Sequence, residues 1–174
     1  MLMAALGLLI LRVVLGLIVA AHGFQKVFGW WGGPGMTGWI GAMNRMRIRP
    51  AVPWAWMSAL AEVFGGLGLA VGLLTPLPSL AIAASMLVAI ALVHWSRGFW
   101  ATKGGYEFNL SILAGIAAIA LIGPGAYSLD AALRIHLPEP VTIIAGTLLT
   151  LAGVGVALGT RGPAAATETK PQTT

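Results

Sequence analysis

Five runs of apolar residues, each near the length of a bilayer crossing, take up most of this chain and leave little for a soluble domain. A hydrocarbon core about 30 Å thick takes roughly 20 helical residues to cross, and within it a helix meets its own backbone hydrogen-bonding needs. The runs predict helices over 3–28, 54–75, 79–97, 107–123 and 141–160. Of 174 residues, 58% are hydrophobic and 9% charged, against about 25% charged in a soluble domain. The expected fold class is therefore all-α, a polytopic transmembrane four-helix bundle plus a fifth transmembrane helix. It spans residues 1–162 in the lipid bilayer, and the Thr-, Ala- and Pro-rich tail at 163–174 is expected to be disordered.

Proline and glycine divide the runs. Pro53 pre-sets the first turn of the second helix, Thr75-Pro76-Leu77-Pro78 ends it, and Gly123-Pro124-Gly125 ends the fourth. The connection 30–53 carries Trp30, Trp31, Trp39, Arg45, Arg47 and Arg49; its middle, 37–47, reads as a short helix at headgroup level, an interfacial anchor. Residues 126–140 are polar enough to leave the membrane. The first run lacks the basic region of a secretory signal and contains Arg12. Although Val19-Ala20-Ala21 weakly resembles a cleavage site, the run reads as a retained helix.

The net charge of +5 sits in the connections, where it reports orientation and gives no argument for nucleic acid. Lys26, Arg45, Arg47, Arg49, Arg97, Lys103, Arg161 and Lys170 fall on one side of five crossings and Arg134 on the other. That bias predicts a multi-pass cell-membrane protein with its N-terminus outside and its C-terminus cytoplasmic. No cysteine is present, which excludes disulfide exchange, thiolate catalysis and an intrinsic iron–sulfur cluster on cysteine ligands. Any redox role must use a bound cofactor or a partner.

Polar residues inside apolar runs are costly and mark function by default. The stretch Ala21-His22-Gly23-Phe24-Gln25-Lys26-Val27-Phe28-Gly29 closes the first helix, His94 ends the third on the same side and Glu107 opens the fourth there. Glu62 lies eight residues into the second helix, hence about 12 Å deep. Each of the others has a structural explanation when taken singly. His22 or His94 can bond a carbonyl at a helix end, Lys26 can snorkel, and Glu107 can cap a helix. Glu62 is too deep to snorkel, and Lys26 or His22 is the partner at hand. Arg12, in the outer half, has Asp130 and Glu62 as alternative partners. Gly65 and Gly66 share the face of Glu62 and allow a neighbouring helix to come close. A weak internal repeat sets His22 before Gly33, and His94 before Gly105, at the same spacing, each pair followed by a helix with a glutamate. Related by an axis along the membrane normal, both halves would face one central site.

These residues carry a resemblance. Leu11-Arg12 through His22-Gly23-Phe24-Gln25-Lys26-Val27-Phe28-Gly29, then Glu62 with its glycines, Gly105-Tyr106-Glu107-Phe108, and Gly123-Pro124-Gly125-Ala126-Tyr127-Ser128-Leu129-Asp130 resemble the DoxX family of small membrane proteins, in order from about Leu8 to Asp130. The resemblance implies a four-helix membrane bundle and an association with respiratory or stress-related redox chemistry. The family takes its name from a subunit linked to quinone reduction, and the fifth helix extends beyond its usual core.

Two readings stand. In the first the protein is a quinone-linked redox or oxidative-stress membrane subunit. Glu62, His22 and Glu107 transfer protons, His22, Lys26, His94 and Arg12 form the quinone site and balance its charge, and a soluble or membrane redox partner supplies electrons. In the second it is a non-catalytic accessory or scaffold subunit whose polar cluster locks helix packing. Two further readings have less behind them: axial haem ligation by His22 and His94, and a small transporter, which lacks evident broken helices. No cluster of residues argues for a metal site, and oligomerisation is left open.

Overall fold

Helix-forming apolar runs punctuated by glycine and proline give an all-α membrane bundle, in a computed structural model that describes residues 2–162; the tail expected to be disordered lies outside these. The first helix, α1 (Leu2–Phe28), turns through a short tight helix at Trp30–Gly32 into α2 (Gly35–Arg45). Then follow α3 (Ala51–Val71), α4 (Pro76–Ala89), α5 (Glu107–Ile122), the short α6 (Leu129–Leu133) and α7 (Glu139–Gly159). Among the described residues, four helices are long and apolar enough to cross a membrane, counting α4 with its continuation to Arg97. The 16-residue α5 is a shorter apolar helix, about 24 Å long.

The boundaries of the second and third helices differ from expectation. α3 ends at Val71, before the expected proline stop, because Gly72 takes the left-handed conformation (φ 67°, ψ 49°) and its N–H returns to Gly68 and Leu69. Pro76 then starts α4 where proline fits best, in the first turn. Beyond Ala89 the helix widens into a π turn over Ile90–His94 and tightens over Trp95–Arg97. Within the polar segment after α5, residues 129–133 form the short α6, with Asp130 buried against the rest of the fold.

α1 and α3 make the most extensive contact of the fold. A Cβ added at Gly16 would stand 2.5 Å from the Gly66 carbonyl oxygen, and one at Gly66 2.4 Å from the Ala20 nitrogen. Only glycine lets the two backbones meet at this distance. Gly65 instead faces Ile82 of α4. Leu8, Val19, Leu69, Ile82, Met86, Ile112, Ile116 and Ile119 fill a core shared by α1, α3, α4 and α5. A second core forms where α2 lies over the start of α3, around Met43, Ile48 and Ala55. α7 packs mainly on α4 and is the least buried of the long helices.

Candidate functional site

The close seam between α1 and α3 sets the register that brings Lys26, near the end of α1, to Glu62 in the middle of α3. Lys26 Nζ donates to Glu62 Oε1 at 2.5 Å, the one ion pair among the described residues. Glu62 is 2% exposed and Lys26 only partly. Ser85 of α4 donates to the same Oε1 at 2.7 Å, so three helices meet on one oxygen. Glu62 Oε2 is buried and has no hydrogen-bond partner among the described residues. An unpaired oxygen of this kind costs free energy unless something uses it.

Above the pair lies α2. The Trp39 ring centroid is 4.3 Å from Lys26 Nζ, close enough for a cation–π attraction of about 0.5–2 kcal/mol. The Trp39 indole N–H donates to Ser58 Oγ at 3.0 Å. Ser58 precedes Glu62 by one helical turn and shares its face. Lys26, Trp39, Ser58 and Ser85 all line a groove of about 620 Å³ between α3, α4 and α7, whose other walls are apolar apart from Thr150. That volume is in the usual range for small-molecule sites, about 300–1,000 Å³.

The other residues expected at the site are placed elsewhere or held by the backbone. His22 is exposed and packs against Phe108, ring centroids 5.8 Å apart. His94 Nδ1 donates to the Gly104 carbonyl at 2.6 Å, so the proton sits on Nδ1. Glu107 Oε2 accepts from the Ala101 N–H at 2.9 Å. His94 and Glu107 therefore both brace the loop between α4 and α5. The two halves of the suggested repeat differ here, because His22 makes no contact like that of His94.

Arg12 is at the other end of the bundle and 1% exposed. It donates to the carbonyls of Ala70, Pro124 and Tyr127, tying α1 to the end of α3 and the connection after α5. Asp130 accepts from the Leu74 and Thr75 N–H groups and the Thr75 hydroxyl at 2.7–2.9 Å, capping α4. Its own N–H donates to Gly72. This second polar centre is a joint between helix ends.

Trp39, Ser58 and Ser85 were not singled out in the sequence as site residues. The one usable signal was the spacing of Ser58 to Glu62. Ser85 reaches Glu62 only through the turn at Gly72, and Trp39 only because α2 folds back over α3.

A polytopic helical membrane protein with, among the described residues, one ion pair inside the bundle beside a largely apolar groove is the class these features define. The DoxX family model matches residues 7–95, about half the chain, and the protein belongs to that family. It is similar to the inner membrane protein YqjF of Escherichia coli (strain K12), 29% identical over 126 residues, 71% of this chain and 89% of that one. It is also similar to the uncharacterized membrane protein Rv3486 of Mycobacterium tuberculosis (strain ATCC 25618 / H37Rv), 28% identical over 130 residues, 69% of this chain and 77% of that one. No solved structure matches.

Proposed function

We propose that this protein is the membrane subunit of a quinone-linked redox system, with the headgroup site at Lys26, Ser58 and Ser85 and the proton site at Glu62. The observation that carries the reading is the groove whose lining includes Lys26 and Ser85, the two side chains that also hold Glu62 Oε1. A quinone head offers carbonyl acceptors, and the Lys26 ammonium has N–H groups beyond the one it gives to Glu62, so it fits as the donor; the Ser58 and Ser85 hydroxyls already donate to the Ala55 carbonyl and to Glu62 Oε1 and would have to turn from these to join it. When bound, a quinone accepts two electrons and two protons to become a quinol; the electrons come from a soluble or membrane redox partner.

The chain's own part is to bind and to handle protons. Lys26 and Ser85 fix Oε1, which leaves Oε2 as the atom of Glu62 where a proton is gained or lost. Trp39 covers Lys26 and holds Ser58, which keeps bulk water from the pair. The excess of Lys and Arg at this end of the bundle supports a cytoplasmic position for it, with the N-terminus outside.

The test is quinone turnover in vesicles with an artificial electron donor. Glu62→Gln is expected to slow it by about a hundredfold, the usual scale for losing a general acid–base group, and full turnover by this variant would remove the central argument. The accessory-subunit reading is favoured by one observation: Arg12, His94 and Glu107 are each engaged with backbone groups. Under it, substitutions at Glu62 change stability or assembly and never quinone content.

A further inference from the structure

The end of α7 is tied to the connection that precedes α3. Arg161 pairs with Ile48 in an antiparallel bridge. Arg161 Nε donates to the Met46 carbonyl at 3.2 Å, and the Gly162 N–H donates to the Arg47 carbonyl at 2.9 Å. A Cβ added at Gly162 would stand 3.3 Å from Arg49 Nε, so the Arg49 side chain lies against the same joint. The joint thus gathers Arg47, Arg49 and Arg161. The chain has no Asp or Glu before Glu62, and the one ion pair among the described residues is Lys26 with Glu62. The three guanidinium groups therefore have no carboxylate partner there, and like charges held together repel. Arg47 also keeps a left-handed backbone (φ 64°), a conformation glycine would take at lower cost.

We propose that Arg47, Arg49 and Arg161 form the headgroup site of one bound anionic phospholipid, which fastens the end of α7 to the connection before α3. Guanidinium forks match phosphate oxygens bidentately, and a phosphate among them turns their repulsion into attraction. The position of the joint favours a lipid over a free anion or an acidic protein. It stands where α3 begins at Ala51 and α7 ends at Gly159, the level at which basic residues beside membrane-spanning helices meet anionic lipid. Met46, Ile48 and Ala157 at the same joint line the apolar groove, so guanidinium gives way to hydrocarbon over a few residues, as headgroup gives way to acyl chain in a phospholipid. A cleft of about 530 Å³ along Asn44, Arg49 and Val52 leaves room for the headgroup. A free phosphate would gain nothing from the apolar rim, and an acidic protein would have to descend to it. The site does not rest on the quinone reading, because neither Lys26 nor Glu62 belongs to it.

The experiment is native mass spectrometry of the full-length protein released from vesicles that hold equal amounts of phosphatidylglycerol and phosphatidylcholine with the same acyl chains. Wild type is expected to carry one phosphatidylglycerol, retained about tenfold or more over phosphatidylcholine. Arg47→Gln/Arg49→Gln is expected to lose that preference. Arg97→Gln/Lys103→Gln removes the same charge in the loop between α4 and α5, at the same end of the bundle, and is expected to keep it. Equal losses in the two double variants overturn the site, because the overall positive field then accounts for the lipid. Wild type without a preference overturns it too and leaves the arginines to an acidic protein. Excess inorganic phosphate is expected to leave the bound lipid in place; displacement would assign the arginines to a free anion and overturn the lipid site. Should the double variant not fold, Arg49→Gln alone, at an exposed position, is expected to lower the preference about threefold or more, and an unchanged preference overturns the proposal.

Discussion

Removing one partner of the Lys26–Glu62 pair leaves the other charge in the helix interior, a loss of about 3–5 kcal/mol for a buried pair. Lys26→Met should therefore destabilise the protein by about that amount in detergent unfolding. The double variant Lys26→Met/Glu62→Met should regain most of it, since an apolar replacement of both partners is often neutral. At this scale the sequence was informative where a charge sat in an apolar run. Glu62 stood out by depth and Lys26 by proximity, and the structure joins them. Ser58, Ser85 and Trp39 did not stand out, because a hydroxyl or an indole in an apolar helix is inexpensive and common. What distinguishes these three is their facing, which is set by how the helices pack.

Gly16 and Gly66 determine how close α1 and α3 come, and through them whether Lys26 reaches Glu62. Gly66→Leu should force the seam open and lower stability by about 1–3 kcal/mol or more, the scale of overpacking. Gly155→Leu, in open space, should be neutral in the same unfolding measurement. Arg12→Lys tests the joint at the other end. A lysine cannot span the three carbonyls that the guanidinium bridges, so a loss of about 1–3 kcal/mol is expected from the unsatisfied acceptors. The helices themselves were legible from length and apolarity, and their ends were less so. The proline cluster after Thr75 looked like the stop for the second helix, but the left-handed Gly72 ends it earlier and the same prolines begin α4. The burial of Asp130 in α6 was hidden because it reads as a surface residue until its donors, the Leu74 and Thr75 N–H groups, are in place.

For the molecule as a whole, a membrane bundle of the DoxX type followed from the sequence, and the gathering of the polar site followed only in part. Lys26 and Glu62 meet because the α1–α3 seam is a single local packing event. Glu107 and His94 were expected to converge on the same centre, and each is taken up by the nearer loop backbone between α4 and α5. The orientation can be read directly, because the chain has no cysteine of its own. A cysteine placed at Arg134 should react with a membrane-impermeant maleimide in intact cells and one placed at Lys103 should not; the reverse pattern would invert the proposed topology. The measurement that bears most directly on function is the quinone content of the protein purified in mild detergent from quinone-containing membranes, for wild type and for a folded Lys26→Gln variant. Stoichiometric quinone in the wild type and its loss from the variant are the predicted result. Wild type without quinone, or a variant that retains as much as wild type, would contradict the assignment of the groove as a quinone site.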